Sequence, residues 1–176
     1  VTSTYQWSAE FSKIIKKEPD IPIVFGGIHP TSVPEFVLND AGIDYIIRGE
    51  GEEALLELVN NLDQKKDPRS IKNLCFKQAG QVVINPLRNL IEDLDSLPFP
   101  DAELFSPFID ITSSYRIMTS RGCMFSCNFC CNVLLKDIYK DKGTFIRKRS
   151  VDNFIEELEI AKRKYIFFSE FIISDK

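Results

Sequence analysis

Four of the five cysteines in this 176-residue chain lie within nine residues, in the stretch TSRGCMFSCNFCCN. Cys123, Cys127 and Cys130 follow the spacing CxxxCxxC, and Cys131 comes directly after them. Thiols at this density usually hold a metal, form a disulfide or make a redox centre. A glycine precedes the cluster, and serine and asparagine interrupt it, so we expect an irregular loop whose thiolates converge on one centre.

Several kinds of site are compatible with this spacing. Positions i, i+4 and i+7 share one helical face, so three buried thiols without a metal are one alternative. A zinc site needs four tetrahedral ligands. Cys131 is a poor fourth ligand because it is adjacent to Cys130 and adjacent residues rarely point at one metal. His29 could be the fourth ligand only if the two halves of the chain folded face to face. A disulfide between Cys127 and Cys130 is a third alternative, although a reducing compartment favours metal or redox chemistry. Three thiolates can also bind a four-iron cubane and leave one iron open.

The first half of the chain alternates helical and strand patterns. Apolar residues at helical spacing predict an amphipathic helix over Thr4–Lys17, and IPIVFGG then has the composition of a buried parallel strand. A short helix over Pro34–Asn39, a strand in DYIIRG and a helix over Glu52–Leu62 follow. This order predicts a doubly wound α/β sheet, whose ligands bind beyond the carboxyl ends of the strands. The loops GGIHPTS and RGEGE lie there, although their glycines could serve only to make tight turns.

The second half carries the cysteines on another β/α unit. NLCFKQAGQVVIN predicts two strands around a turn, with Cys75 as a small buried hydrophobe, and a proline-rich connector follows. YRIMTS predicts a strand that leads into the cysteines, Ser150 caps a helix over Val151–Tyr165, and IFFSEF predicts the next strand. We therefore divide the chain into residues 1–66, 67–114 and 115–176.

Composition restricts the partners of this chain. The net charge of −4 is spread without long blocks of one sign, so we expect no nucleic-acid partner. The basic stretch YKDKGTFIRKRS is expected to be a solvated surface turn. No apolar run approaches the roughly 20 residues that span a bilayer, and the start has no secretory layout. We expect a cytoplasmic location without a membrane span, and a fragment, because the chain begins at Val1 and stops after a strand-like run.

The cysteine motif resembles the signature of radical S-adenosylmethionine enzymes, which have an aromatic residue before the last cysteine, here Phe129. The resemblance implies that Cys123, Cys127 and Cys130 bind a [4Fe-4S] cluster and that Phe129 lines the adenine site. In that family the open iron chelates the amino and carboxylate groups of S-adenosylmethionine. An electron, supplied by a donor such as flavodoxin or ferredoxin, then cleaves the cofactor to a 5′-deoxyadenosyl radical.

Most of the remaining chain resembles the cobalamin-dependent subfamily of these enzymes. The stretch from PIVFGG to LVNNL is similar to the C-terminal half of a Rossmann-like cobalamin-binding domain. DLDSLPFPD is similar to the connector of that subfamily, and IRKRSVDNFIEELE to the first helix of a partial (βα) barrel. The resemblance implies that Gly26 and Gly27 approach the nucleotide tail of cobalamin, and that Gly49, Glu50 and Gly51 border the same pocket.

Two further residues, Glu170 and His29, are compared with the family pattern. Family members often have acidic residues after the second barrel strand, which makes Glu170 a candidate for binding the amino group of S-adenosylmethionine. The histidine motif DxHxxG of cobalamin domains does not occur in these residues, and His29 lies at a different place in the fold. No catalytic residue is assigned beyond these cofactor contacts.

The resemblance implies a fragment of an enzyme that transfers a methyl group to, or rearranges, a small-molecule substrate. A radical enzyme with a vestigial cobalamin domain is one alternative, and a non-catalytic iron–sulfur module for binding or electron transfer is another. We expect the 176-residue chain alone to be poorly stable and without turnover, because an open half barrel leaves sheet edges and apolar faces uncovered.

Overall fold

The computed structural model describes residues 2–18, 21–40, 42–105, 114–165 and 170–175. The chain folds as two compact units. The first comprises Val1–Leu90 with Asp137–Lys142, and the second comprises Ile91–Lys136 with Gly143–Lys176. The segment Asp137–Lys142 therefore belongs to the first unit, although it follows the cysteines in sequence. Among the described residues, no helix is long and apolar enough to cross a membrane.

The first unit is an α/β layer structure with a mixed sheet. Its elements are α1 (Thr2–Ile15), β1 (Val24–Phe25), α2 (Ile28–Ser32), α3 (Pro34–Leu38), β2 (Tyr45–Ile47), α4 (Glu52–Asp63), β3 (Leu74–Gln78) and β4 (Gln81–Ile84). The strand order is β1-β2-β3-β4; β1 and β2 are parallel, and the other pairs are antiparallel. The predicted alternation of helices and strands is confirmed, and the predicted hairpin extends this same sheet.

Helices cover both faces of the first sheet because successive strand residues point to opposite sides. Ile47 packs with Ala54 and Leu58 of α4, whereas its neighbour Ile46 packs with Val37 of α3. Cys75 of β3 lies in the second of these clusters and is completely buried, as predicted. Burial raises the pKa of the Cys75 thiol to about 11, so this side chain stays protonated at neutral pH.

The second unit has a three-stranded sheet. Its strands and helices are β5 (Ser114–Arg121), α5 (Cys131–Ile138, whose last residues belong to the first unit), β6 (Arg147–Lys148), α6 (Val151–Lys164) and β7 (Glu170–Asp175). The strand order is β6-β5-β7, in which β5 and β7 run parallel and β6 is antiparallel to β5. α6 covers the sheet through Ala161, which packs against Tyr115 and Ile117.

The start of α6 matches the sequence prediction closely. The Ser150 hydroxyl accepts a hydrogen bond of 3.1 Å from the backbone N–H of Asn153, which is the geometry of an N-cap.

The last strand differs from its prediction. The described part of β7 is Glu170–Asp175 rather than the predicted 166–171, and residues 166–169 lie outside the described residues. Apolar residues continue through Ile173, so periodicity could not locate the ends of this strand.

Candidate functional site

The cysteine loop, residues 122–130, follows the carboxyl end of β5 and precedes α5. Gly122 opens the loop with φ of 87°, in the left-handed region that favours glycine. A Cβ atom at this position would clash with the backbone carbonyl oxygen of Phe145. The loop can therefore leave the strand in this direction only because residue 122 has no side chain.

The three predicted ligands are free thiols on this one loop. Cys123 and Cys130 are half-buried and Cys127 is exposed. The Cys130 N–H donates a hydrogen bond of 2.9 Å to the Cys127 carbonyl, which folds the CNFC stretch into a turn. The predicted irregular loop is confirmed, and Cys131 is the first residue of α5.

Three free thiols on one short loop are the kind of donor that an iron–sulfur cubane binds. Among the described residues, no group of three His, Cys, Asp or Glu side chains lies close enough to hold one metal ion. A cubane does not require such convergence, because each thiolate binds a different iron. Three accessible thiols from a short loop can meet that requirement, so Cys123, Cys127 and Cys130 fit the predicted cluster.

Lys136 of α5 closes the cysteine loop from the helix side. Its Nζ donates hydrogen bonds to the carbonyl oxygens of Phe125 (2.9 Å) and Met124 (3.2 Å), and to the hydroxyl of Ser126 (3.2 Å). Nζ also lies 6.0 Å from the ring centroid of Phe145. Sequence reasoning missed Lys136, because a lysine in an amphipathic helix gives no sign that it contacts residues ten or more positions earlier.

A second set of polar contacts holds the end of β5. The register of β5 against β7 shifts between Met118 and Ser120, which marks a bulge at Thr119. The Arg149 backbone N–H donates to the Thr119 carbonyl at 2.9 Å, and its guanidinium donates to the Met118 carbonyl at 3.1 Å. A bulge redirects the strand that contains it, so Arg149 helps to set the direction in which the chain enters the cysteine loop.

The side chain of Arg149 is itself held by a buried carboxylate. It forms an ion pair with Glu157 of α6, and the exposed side-chain fractions are 12% and 3%. Glu157 also accepts a hydrogen bond of 3.0 Å from the Tyr115 hydroxyl of β5. Burial and the charge of Glu157 raise the pKa of Tyr115. Half-buried Arg149 and buried Glu157 and Tyr115 therefore connect β5 to α6 through their polar side-chain atoms.

The expectation of a solvated basic turn in YKDKGTFIRKRS is wrong for its arginines. Arg147 is buried and donates to the Ile91 carbonyl at 2.8 Å, and Arg149 is half-buried in its ion pair with Glu157. Lys140 and Lys148 are exposed, as expected. The sequence could not distinguish these positions, because the basic residues of this segment follow no helical or strand period.

Apolar side chains of the cysteine loop face solvent. Phe129 is 96% exposed, and Met124 and Phe125 are also exposed. An exposed ring beside the cysteines offers a flat apolar surface to an aromatic base. The predicted contact of Phe129 with adenine stays a prediction, and this exposure is compatible with it.

The position of Glu170 is a correction to the sequence prediction. Glu170 pairs with Ser114 at the amino ends of two parallel strands, whereas Asp175 pairs with Ser120 at the carboxyl ends. The cysteine loop follows the carboxyl end of β5, about 20 Å along the strand at roughly 3.3 Å a residue. In the described part of β7, Glu170 therefore lies at the end opposite the cysteine loop rather than at the carboxyl end where the prediction placed it, and its contact with S-adenosylmethionine stays a prediction.

Gly26 and Gly27 lie where an α/β sheet binds its ligands, directly after β1. Gly27 has φ of 91°, and a Cβ atom built on it would meet no atom within 4 Å. A Cβ on Gly26 would lie 3.7 Å from the Ile47 carbonyl oxygen, in ordinary contact. The backbone at these glycines can be approached closely, which fits the predicted contact with cobalamin. His29, in α2, packs on Tyr5 with ring centroids 4.5 Å apart.

The loop RGEGE, residues 48–52, is held by hydrogen bonds within the first unit. The Gly49 N–H donates to the Thr31 hydroxyl at 2.9 Å, and the Glu50 N–H donates to the Tyr139 hydroxyl at 2.6 Å. The Glu50 carbonyl accepts from the side-chain amide of Asn73 at 2.8 Å. The backbone donors of Gly49 and Glu50 are thus already engaged, and any contact of this loop with a corrinoid must use other atoms.

Gly49 is required for the packing of this loop. It has φ of 70°, and a Cβ atom on it would clash with the hydroxyl of Tyr139. Tyr139 is buried and belongs to the first unit, although α5 and the cysteines precede it in sequence. At Gly51, a Cβ atom would lie 3.4 Å from Cγ2 of Ile47. The predicted role of Gly49, Glu50 and Gly51 at a cobalamin pocket stays a prediction.

Comparisons with known proteins match both units. Residues 1–59 match the model of the B12 binding domain family. The chain is 34% identical over 164 residues to an uncharacterized methyltransferase of Pyrococcus horikoshii, covering 88% of this chain and 33% of the relative. It is 34% identical over 191 residues to the anaerobic magnesium-protoporphyrin IX monomethyl ester cyclase of Rubrivivax gelatinosus, covering 95% and 34%.

A solved structure shares the fold of nearly the whole chain. TsrM from Kitasatospora setae, a radical S-adenosylmethionine methyltransferase solved with tryptophan substrate and an S-adenosylmethionine analogue, superposes with a TM-score of 0.70 at 19% identity. The superposition covers 98% of this chain and 33% of that one. This chain thus spans about a third of the length of the relatives it matches.

The fold class is that of a B12-binding α/β unit followed by the first strands and helices of a radical S-adenosylmethionine barrel, as predicted. The chain is similar over most of its length to radical S-adenosylmethionine proteins that contain a B12 binding domain, as the resemblance of the cysteine motif predicted.

Proposed function

We propose that this protein is a cobalamin-dependent radical S-adenosylmethionine enzyme that acts on a small-molecule substrate. One observation carries the proposal. Three free thiols in CxxxCxxC spacing lie on a loop at the carboxyl end of a strand, and in sequence they follow residues that match the B12 binding domain family. Relatives named as methyltransferases and a cyclase support methyl transfer or ring formation as the reaction class.

Each site residue has a distinct part in this proposal. Cys123, Cys127 and Cys130 bind a [4Fe-4S] cluster through one thiolate each. When bound, the cluster supplies the electron that cleaves S-adenosylmethionine. Phe129, which faces solvent beside the thiols, covers one face of the adenine. Gly122 sets the direction of the loop, and an electron donor such as flavodoxin or ferredoxin reduces the protein.

The first unit binds the corrinoid in this proposal. Gly26 and Gly27 admit it at the carboxyl end of β1, because their backbone carries no side chain that would block approach. Gly49, Glu50 and Gly51 form the neighbouring border of the pocket, with their conformation fixed by Thr31, Tyr139 and Asn73.

The decisive test is formation of 5′-deoxyadenosine. The protein is expressed from its complete gene, reconstituted anaerobically with iron and sulfide, reduced, and incubated with S-adenosylmethionine. We expect about four irons per chain and 5′-deoxyadenosine as a product. Cys123→Ala, Cys127→Ala and Cys130→Ala should each lose both, while Cys131→Ala is the matched control and should retain both. Full iron content in the triple alanine variant, or zinc taken up in place of iron, would refute the proposal.

A second candidate is a radical enzyme whose B12 binding domain has lost its ligand. The engagement of the Gly49 and Glu50 N–H groups within the protein favours it, since these donors are not available to a corrinoid. The absorbance spectrum of the protein after incubation with hydroxocobalamin and removal of the unbound corrinoid separates the two candidates. A protein that yields 5′-deoxyadenosine but retains no corrinoid supports the second. A cluster without 5′-deoxyadenosine supports a non-catalytic iron–sulfur module instead.

A further inference from the structure

Among the described residues, Lys136 makes three hydrogen bonds to the cysteine loop. Met124, Phe125 and Phe129 are exposed, so burial of apolar surface contributes little to the order of this loop. Two backbone hydrogen bonds order its second half, from Cys130 N to Cys127 O at 2.9 Å and from Val133 N to Cys130 O at 3.3 Å. The first half, from Met124 to Ser126, is held by the ammonium group of Lys136.

The number of acceptors matches the chemistry of the ammonium group. A lysine ammonium has three N–H donors and no acceptor. The carbonyls of Met124 and Phe125 and the hydroxyl of Ser126 are three acceptors, at 3.2, 2.9 and 3.2 Å. Hydrogen bonds from a charged donor are stronger than those between neutral groups. The contact closes a ring of chain from residue 124 to residue 136 that contains Cys127 and Cys130.

The same contact places a fixed positive charge within the loop that carries three thiolates. Net charge near an iron–sulfur cluster is one of the factors that set its reduction potential. Reduction adds one electron, so a cation close to the cluster stabilises the reduced state more than the oxidised state.

We propose that Lys136 is a positioning residue that closes the cysteine loop and raises the reduction potential of the cluster bound there. The second part rests on the proposed function, because it requires a cluster at Cys123, Cys127 and Cys130. The first part concerns the loop itself and holds with or without the cluster. The side chain acts through the loop backbone and through its charge rather than by contact with a substrate.

Two substitutions and one control separate these effects. Lys136→Met removes the donors and the charge at similar side-chain length, while Lys136→Arg retains both. Lys162→Met is the matched control, since Lys162 is an exposed lysine in the last turn of α6. All are made in the protein expressed from its complete gene. Hydrogen–deuterium exchange of residues 123–130 is measured without iron, and the cluster midpoint potential is measured by EPR-monitored titration after reconstitution.

Lys136→Met should speed amide exchange in the loop about tenfold, because the loop loses its hydrogen bonds from a charged group. It should also make the midpoint potential more negative, by a shift that shrinks as salt is added because exposed charges are screened. Lys136→Arg and Lys162→Met should match the wild type in both measurements.

Unchanged exchange in Lys136→Met overturns the closing role, and an unchanged potential overturns the electrostatic role. If the wild-type protein assembles no cluster, the proposed function has failed, and the exchange measurement still decides whether Lys136 closes the loop.

Discussion

The largely buried ion pair between Arg149 and Glu157 is expected to be a major determinant of the stability of the second unit. Replacing Glu157 with leucine leaves the Arg149 charge, 12% exposed, without its carboxylate partner and removes the hydrogen bond from Tyr115. Removing one member of a buried pair destabilises proteins by about 3–5 kcal/mol. This loss is large beside a total free energy of unfolding of about 5–15 kcal/mol for a typical domain.

The assay is equilibrium unfolding in urea, followed by circular dichroism, of wild type, Glu157→Leu, Arg149→Met and the double variant. The double variant should lose less stability than the sum of the two single variants, because it leaves no unpaired buried charge. Glu156→Leu is the matched control, on the exposed side of the same helix, and should change stability by at most about 0.5 kcal/mol. A loss below about 1 kcal/mol in Glu157→Leu would show that water reaches Arg149 and would refute the reasoning.

Three further perturbations follow from the geometry. Gly122→Ala places a side chain on a residue in the left-handed region, which costs about 1–2 kcal/mol of stability, and its Cβ clashes with the Phe145 carbonyl oxygen. This variant should lower both the melting temperature and the iron content after reconstitution, and unchanged iron content would contradict the prediction. Gly49→Ala, which collides with the Tyr139 hydroxyl, should lower the melting temperature more than Tyr139→Phe, which removes only that hydroxyl; the reverse order would count against the packing described here. The hydrogen bond from Tyr5 lowers the pKa of Asp40, so the folded state gains stability above about pH 4 that is lost as the pH falls through the folded-state pKa. Urea unfolding from about pH 6 to 2 should show this loss in wild type and a flatter dependence in Asp40→Asn, and parallel curves would argue against it.

Local patterns were sufficient to predict most of the helices and strands. The helix after Ser150 was predicted nearly to its last residue, because a cap and a helical apolar period depend only on neighbouring residues. The parallel strands of the first unit and the hairpin were predicted for the same reason. The CxxxCxxC spacing and its aromatic residue were sufficient to name the family.

Contacts between distant residues could be found only in the tertiary structure. The sequence did not indicate the loop contacts of Lys136, Arg149 and Tyr139, although each contacts a loop proposed to bind a cofactor. The placement of Glu170 failed because the end of an apolar strand depends on its pairing partner and not on its own composition. Residue type and spacing thus indicate the chemistry of the cysteine loop, whereas its shape depends on hydrogen bonds and buried charges from residues that only folding brings beside it.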